Sequence, residues 1–211
     1  MSRHGAYPRP APLRAAGLCG IVSALCFVAA DALGSALRPG YSPVSDAISE
    51  LIETGAPNKA LIDAFLLGFH GLVIPFAIGL HREVRARPRG WIAPLFLAGA
   101  GCLGVVLTLF FPCDPGCRPL TPRGTAHIFI AVPMGFSVVL SILAFSWRFG
   151  ADPDWRGWRG YSRATFAVAI GLAVLTVALA ETRFVGVSER ALTLAYLQWY
   201  VAVGVKLARP A

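Results

Sequence analysis

The 211-residue chain is 56% hydrophobic and only 14% charged, whereas a soluble domain carries about 25% charged residues. That composition excludes an ordinary soluble domain and belongs to a membrane protein. The formal net charge of +8 does not make a nucleic-acid binder, because the basic residues sit in short clusters between apolar runs and form no groove or motif.

Residues 1–14 form a basic, Pro-rich tail carrying Arg3, Arg9 and Arg14. The first apolar run, 15–37, follows. A tail and run of this kind can imitate a signal peptide. The run is longer than an ordinary signal core, and Gly17, Gly20 and Ala24 suit tight helix packing, so a retained span is expected. Five more runs follow at 58–80, 91–111, 124–147, 161–180 and 188–207. Each is about 20 residues, enough to cross a hydrocarbon core of roughly 30 Å. The expected fold is therefore all-α: a single six-helix transmembrane bundle, with no internal repeat and no low-complexity linker. Cys19, Cys26 and Cys102 lie inside these runs and read as small core residues.

Six spans put both termini on one side. The loops and tails of that side hold 13 of the 19 Lys and Arg, against six on the other. The positive-inside rule makes the 13-residue side cytoplasmic, in a cell membrane. Trp91, Trp147, Trp155, Trp158 and Tyr161 cluster at the same interface, as an aromatic belt would. Arg outnumbers Lys 17 to 2, a ratio that suits a GC-rich bacterial genome.

Between the first two runs lies YSPVSDAISELIETGAP, residues 41–57. Ser42 can N-cap a helix, Pro43 fits its first turn, and Gly55 fits its end. At about 100° per residue, Val44, Ala47, Ile48, Leu51 and Ile52 share one face. Ser45, Asp46, Ser49, Glu50 and Glu53 share the other. A short amphipathic helix on the extracytoplasmic side is expected, with an acidic roof that is either solvated or functional.

Eight of the eleven carboxylates fall on that side. Depth discriminates among them better than number. Asp31 lies about six residues inside its run, roughly 9 Å at 1.5 Å per residue. Asp63 lies at similar depth and either pairs with Lys59 at i, i+4 or shares a face with His70 at i, i+7. His70 is near mid-membrane, His127 is one turn into the fourth run, and Glu181 closes the fifth. Ionisable groups at depth face a bundle interior or a wet cavity. Asp31, Tyr41, Ser45, Ser49, Glu50, His70 and Glu181 are thus candidates for an outward-facing ligand pocket. Glu50 or Asp114 with His127 would supply an acid/base pair. No GxSxG, HExxH or HxxxH motif is present to name a nucleophile or metal.

In FPCDPGC, residues 111–117, Asp114-Pro115-Gly116 is turn chemistry. It can bring Cys113 and Cys117 into a disulfide on the oxidising side. A metal held by both thiolates with Asp114 or His127 is the alternative, although no second Cys/His pair exists. A bis-His haem on His70 and His127 is a further alternative, but the two differ in depth by roughly 12 Å. No cofactor and no metal is expected. Three functions stay open: binding or processing of a membrane lipid or similar amphiphile, docking of a membrane-protein partner through residues 41–53, and the haem protein. A transporter has little support, because the six runs show no broken-helix pairs or repeats.

PGYSPVSDAISEL (39–51), GAPN (55–58), FFPCDPGC (110–117) and the His of Thr125-Ala126-His127 together resemble the DUF998 family of bacterial and archaeal six-span membrane proteins. The resemblance covers nearly the whole chain and implies the topology above without implying an activity. His70 and Asp63 stand outside these signatures. A fainter likeness links the ISEL…GAP segment to the eukaryotic Frag1/DRAM/Sfk1 group, which is associated with lipid handling.

Overall fold

The computed structural model describes residues 9–85 and 90–210. Arg3 and most of the basic tail, together with Arg87 and Arg89 of the second loop, lie outside the described residues. The chain forms six long helices: α1 (Ala11–Leu37), α2 (Lys59–Glu83), α3 (Ile92–Phe110), α4 (Pro122–Ala151), α5 (Trp158–Ala178) and α6 (Val185–Ala208). All six are long and apolar enough to cross a membrane. The described residues contain no strand. The protein is a multi-pass helical membrane protein.

Each helix packs on its neighbours in sequence, α6 closes back against α1, and α2 touches α6 across the interior. Lipid tails are as apolar as Leu, so spans associate by close packing rather than by escape from water. Gly17 and Gly204 show this at the α1–α6 crossing. A Cβ on Gly17 would stand 2.6 Å from the Gly204 carbonyl oxygen, and one on Gly204 would stand 2.7 Å from that of Gly17.

The first described residues, the α2 end and the chain's C-terminal end meet at one end of the bundle. Arg9 pairs with Glu83 at 2.6 Å and donates to the Lys206 carbonyl at 2.6 Å. Arg148 is buried there and donates to the Val84 and His81 carbonyls at 2.8 and 3.1 Å. A cation thus caps the carbonyls that a helix C-terminus leaves open. Trp91 is exposed and fits a belt. Trp155 does not: it is buried and stacks on Phe149 with ring centroids 4.8 Å apart. Cys102 is likewise exposed rather than core, because its α3 face turns away from the bundle.

At the other end, the amphipathic α-helix expected over 41–53 does not form. A turn occupies 43–45, Ala47 is extended, and only Ile48–Ile52 is helical, as a 3-10 turn. Side-chain oxygens of the segment bond its own backbone donors. Asp46 accepts the Ser42 N–H at 2.8 Å, and Glu50 accepts the Ala47 N–H at 2.9 Å. Only part of the apolar floor survives: Val44 is exposed, but Leu51 and Ile52 are buried. At this water-facing end their burial stabilises by about 2 kcal/mol each. The segment is better called a strap. It is sewn to α6 by Val187 N–H on the Val44 carbonyl (3.1 Å) and to the α3–α4 loop by Thr54 N–H on the Cys113 carbonyl (2.9 Å).

Candidate functional site

The strap end concentrates the polar side chains, and Arg190 is its hub. One turn into α6, Arg190 pairs with Asp31 of α1 at 2.7 and 3.1 Å. It also donates to the Tyr41 hydroxyl at 2.6 Å and to the carbonyls of Pro43, Asp46 and Gly186 at 2.8, 3.1 and 3.1 Å. A planar fork with five N–H donors can serve so many acceptors, whereas a lysine cannot. Burial pushes the Tyr41 phenol up to about 12, against the pull of the Arg190 hydrogen bond. Next along α6, Glu189 accepts the Ile48 N–H at 2.8 Å.

A second cation holds the far half of the strap. Arg38 pairs with Glu53 at 2.6 Å and donates to the Glu50 carbonyl. Glu53 is buried and accepts the Gly116 N–H at 2.6 Å, linking strap to loop. The acidic roof therefore turns inward at Glu53. Burial raises the Glu50 carboxyl above its ordinary value, more than the Ala47 N–H and Arg38 lower it.

The loop itself is closed by Cys113 and Cys117, whose sulfurs stand at a disulfide distance of 2.00 Å. Gly116 sits at φ 67°, the positive value expected of it in the turn. Asp114 then reaches the start of α4. It accepts from Thr121 N–H (2.7 Å), Thr121 hydroxyl (2.9 Å) and Leu120 N–H (2.9 Å). Thr121 in turn caps α4 through Gly124 N–H at 3.1 Å. A Cβ at position 124 would lie 2.0 Å from an Asp114 carboxylate oxygen, so any larger residue there must displace that carboxylate from its donors. Burial would raise the Asp114 carboxyl, but the Thr121 and Leu120 donors and nearby Arg123 hold it below the ordinary value. His127 is buried in the second turn of α4, with Nδ1 2.7 Å from the Phe111 carbonyl oxygen.

His70 is elsewhere. It lines a cavity of about 30 Å3 near the midpoints of α2, α3, α4 and α6, with Gly101, Met134, Tyr196 and Tyr200 among its walls. The imidazole presses on α3, where a Cβ at Gly104 would stand 2.0 Å from Nδ1.

Residues 21–206 match the family described as "Protein of unknown function (DUF998)". The chain belongs to the DUF998 family. The match runs from within α1 to near the end of α6, so strap, disulfide loop and cavity all fall inside it. No curated protein and no solved structure matches the chain.

In this DUF998 protein the sequence-predicted residues divide into separate groups. Asp31 and Tyr41 meet at Arg190. Ser45 donates to Asp46 at 2.8 Å, and Ser49 presents its carbonyl 3.3 Å from Cys113 Sγ. Glu181 is exposed on the α5–α6 turn. Asp63 pairs with Lys59 at 2.6 Å rather than with His70. Glu50, Asp114 and His127 share no hydrogen bond with one another among the described residues. Asp114 and His127 Nδ1 are engaged with backbone and Thr121. Among the described residues no group of three His, Cys, Asp or Glu is placed to hold a metal. Sequence reasoning missed Arg190, Arg38, Glu189 and Tyr200. One signal was available: an aspartate at depth in α1 requires a cation at matching depth, and Arg190 stands about as far into α6.

Proposed function

We propose that this DUF998 protein binds a membrane lipid or lipid-like amphiphile at the strap end, with that end extracytoplasmic, both termini cytoplasmic and the bundle in the cell membrane. The observation that carries the reading is the α3–α4 corner. There Leu120 is 71% exposed before α4, Phe129 is 75% exposed two turns into α4 and Phe110 is exposed at the end of α3, while exposed Arg123 donates to the Phe110 carbonyl at 3.0 Å and Arg118 is exposed in the same loop. Apolar side chains suit acyl or isoprenoid chains, and guanidinium groups suit a phosphate head in bidentate fashion. The orientation rests on the basic residues at the opposite end and on the Cys113–Cys117 pair, which an oxidising compartment would keep joined. Binding is favoured over catalysis because Glu50, Asp114 and His127 share no hydrogen bond with one another among the described residues, and Glu50 Oε1, His127 Nδ1 and the Asp114 carboxylate are each engaged by neighbours outside the trio.

Native mass spectrometry of the detergent-purified protein under stepwise delipidation tests this. A retained phospholipid, lost in Arg118→Ala/Arg123→Ala while folding survives, is the expected result. A bare mass in wild type and variant alike would overturn it. That outcome would favour the competing reading of a partner-binding subunit, for which exposed Val44 on the strap and Val187 beside it offer a small apolar patch.

A further inference from the structure

Tyr200 is fully buried, yet its hydroxyl has no hydrogen-bond partner among the described residues. Buried hydroxyls almost always find a partner, and one that does not is stripped of water without compensation. Tyr200 lines the mid-bundle cavity, and His70, also buried, faces it from α2. The His70 ring has no hydrogen bond among the described residues either. The space, about 30 Å3, exceeds the 10–15 Å3 or so that one water needs. We propose that this cavity is a binding site for a single water, held between the Tyr200 hydroxyl and the His70 imidazole at the middle of the membrane.

The face of α6 that carries Tyr200 supports this independently. Glu189, Thr193, Tyr196 and Tyr200 follow one another at steps of four, three and four, so they share one side of the helix. Tyr196 donates to the Thr193 hydroxyl at 3.3 Å, and Glu189 holds the strap at Ile48. A line of polar side chains thus descends along α6 from the strap end to the cavity. A water held there would give His70 a hydrated setting at mid-membrane. The cavity is far too small for a lipid chain, so this site is distinct from the lipid site and stands or falls separately.

Hydroxyl-radical footprinting by radiolysis of the full chain in detergent reads the site directly, because a bound water generates the radical beside its neighbours. Tyr200 is expected to oxidise several-fold faster than Phe145 and Phe149, which are as fully buried but do not line the cavity. Equal rates would overturn the proposal. Tyr200→Phe gives a second readout. If the hydroxyl holds a water, the variant loses a bridge and its Tm falls. If the cavity is dry, it loses only an unpaired hydroxyl, its Tm rises, and the proposal fails.

Discussion

Truncating Arg190 would leave Asp31 inside α1 with no cation beside it, and would strip a donor from Tyr41 and from the carbonyls of Pro43, Asp46 and Gly186. Breaking a fully buried pair costs about 3–5 kcal/mol; with side chains 12% and 23% exposed here, Arg190→Ala is expected to cost about 2 kcal/mol. Arg190→Lys should recover only part of that loss, since an ammonium cannot span the same acceptors. Thermal unfolding in micelles measures both, and an unchanged Tm in Arg190→Ala would remove the hub. Glu50 makes a pH prediction. Its folded-state pKa lies above the ordinary 4.5 because of burial. Folding therefore favours its protonated form, and its contribution is complete below pH 4.5 and lost as pH rises through the folded value. Asp114 runs the other way: held below 3.8 by its donors, it contributes above that pH and fails as pH falls through its folded value. Glu50→Gln should accordingly raise the Tm at pH 7, with the gap closing toward pH 4. A gap independent of pH would show that the buried charge is not its origin.

At the scale of elements, the disulfide loop and the helix crossing make separable predictions. Cys113 and Cys117 are four apart in sequence. So short a closed loop restricts the unfolded chain little, and Cys113→Ser/Cys117→Ser should cost about 2 kcal/mol, read as a Tm shift that reductant reproduces in wild type. Gly17→Val should do worse. Its side chain would meet α6 backbone, which has no rotamer to move aside, and the expected outcome is loss of the folded monomer in size-exclusion chromatography rather than a small Tm change. These elements differ in how far the sequence revealed them. The spans were legible because length and hydropathy suffice for a lipid-facing helix. The disulfide was legible because Asp-Pro-Gly between two cysteines is a local signal. The strap was not: helical periodicity is blind to Asp46 and Glu50 bonding their own backbone, which diverts the segment into turns. Nor was the Arg190 hub, since hydropathy says how deep Asp31 lies but not which helix faces it. Trp155 fails for the same reason, its position in sequence marking an interface and its packing against Phe149 removing it from one.

For the molecule as a whole, the decisive question is which end faces the cytoplasm. Arg9 at Glu83 and Lys206 ties the described start of the chain, the α2 end and the end of α6 together, so one measurement at any of them fixes the orientation of all. The basic residues concentrate at that end, and Lys and Arg near short loops resist translocation. Two single cysteines introduced into a variant lacking Cys19, Cys26 and Cys102 can test this in intact cells with a membrane-impermeant maleimide. Val44→Cys samples the strap end and Trp91→Cys the basic end, and both native residues are exposed. Val44→Cys should label in intact cells and Trp91→Cys only after lysis. The reverse pattern would put Cys113 and Cys117 in a reducing compartment, where a bond between them would not persist. It would also turn the Arg118–Arg123 corner to the inner leaflet, so the extracytoplasmic lipid reading would fall with the topology, while the Arg190 clamp and the mid-bundle water would stand unchanged.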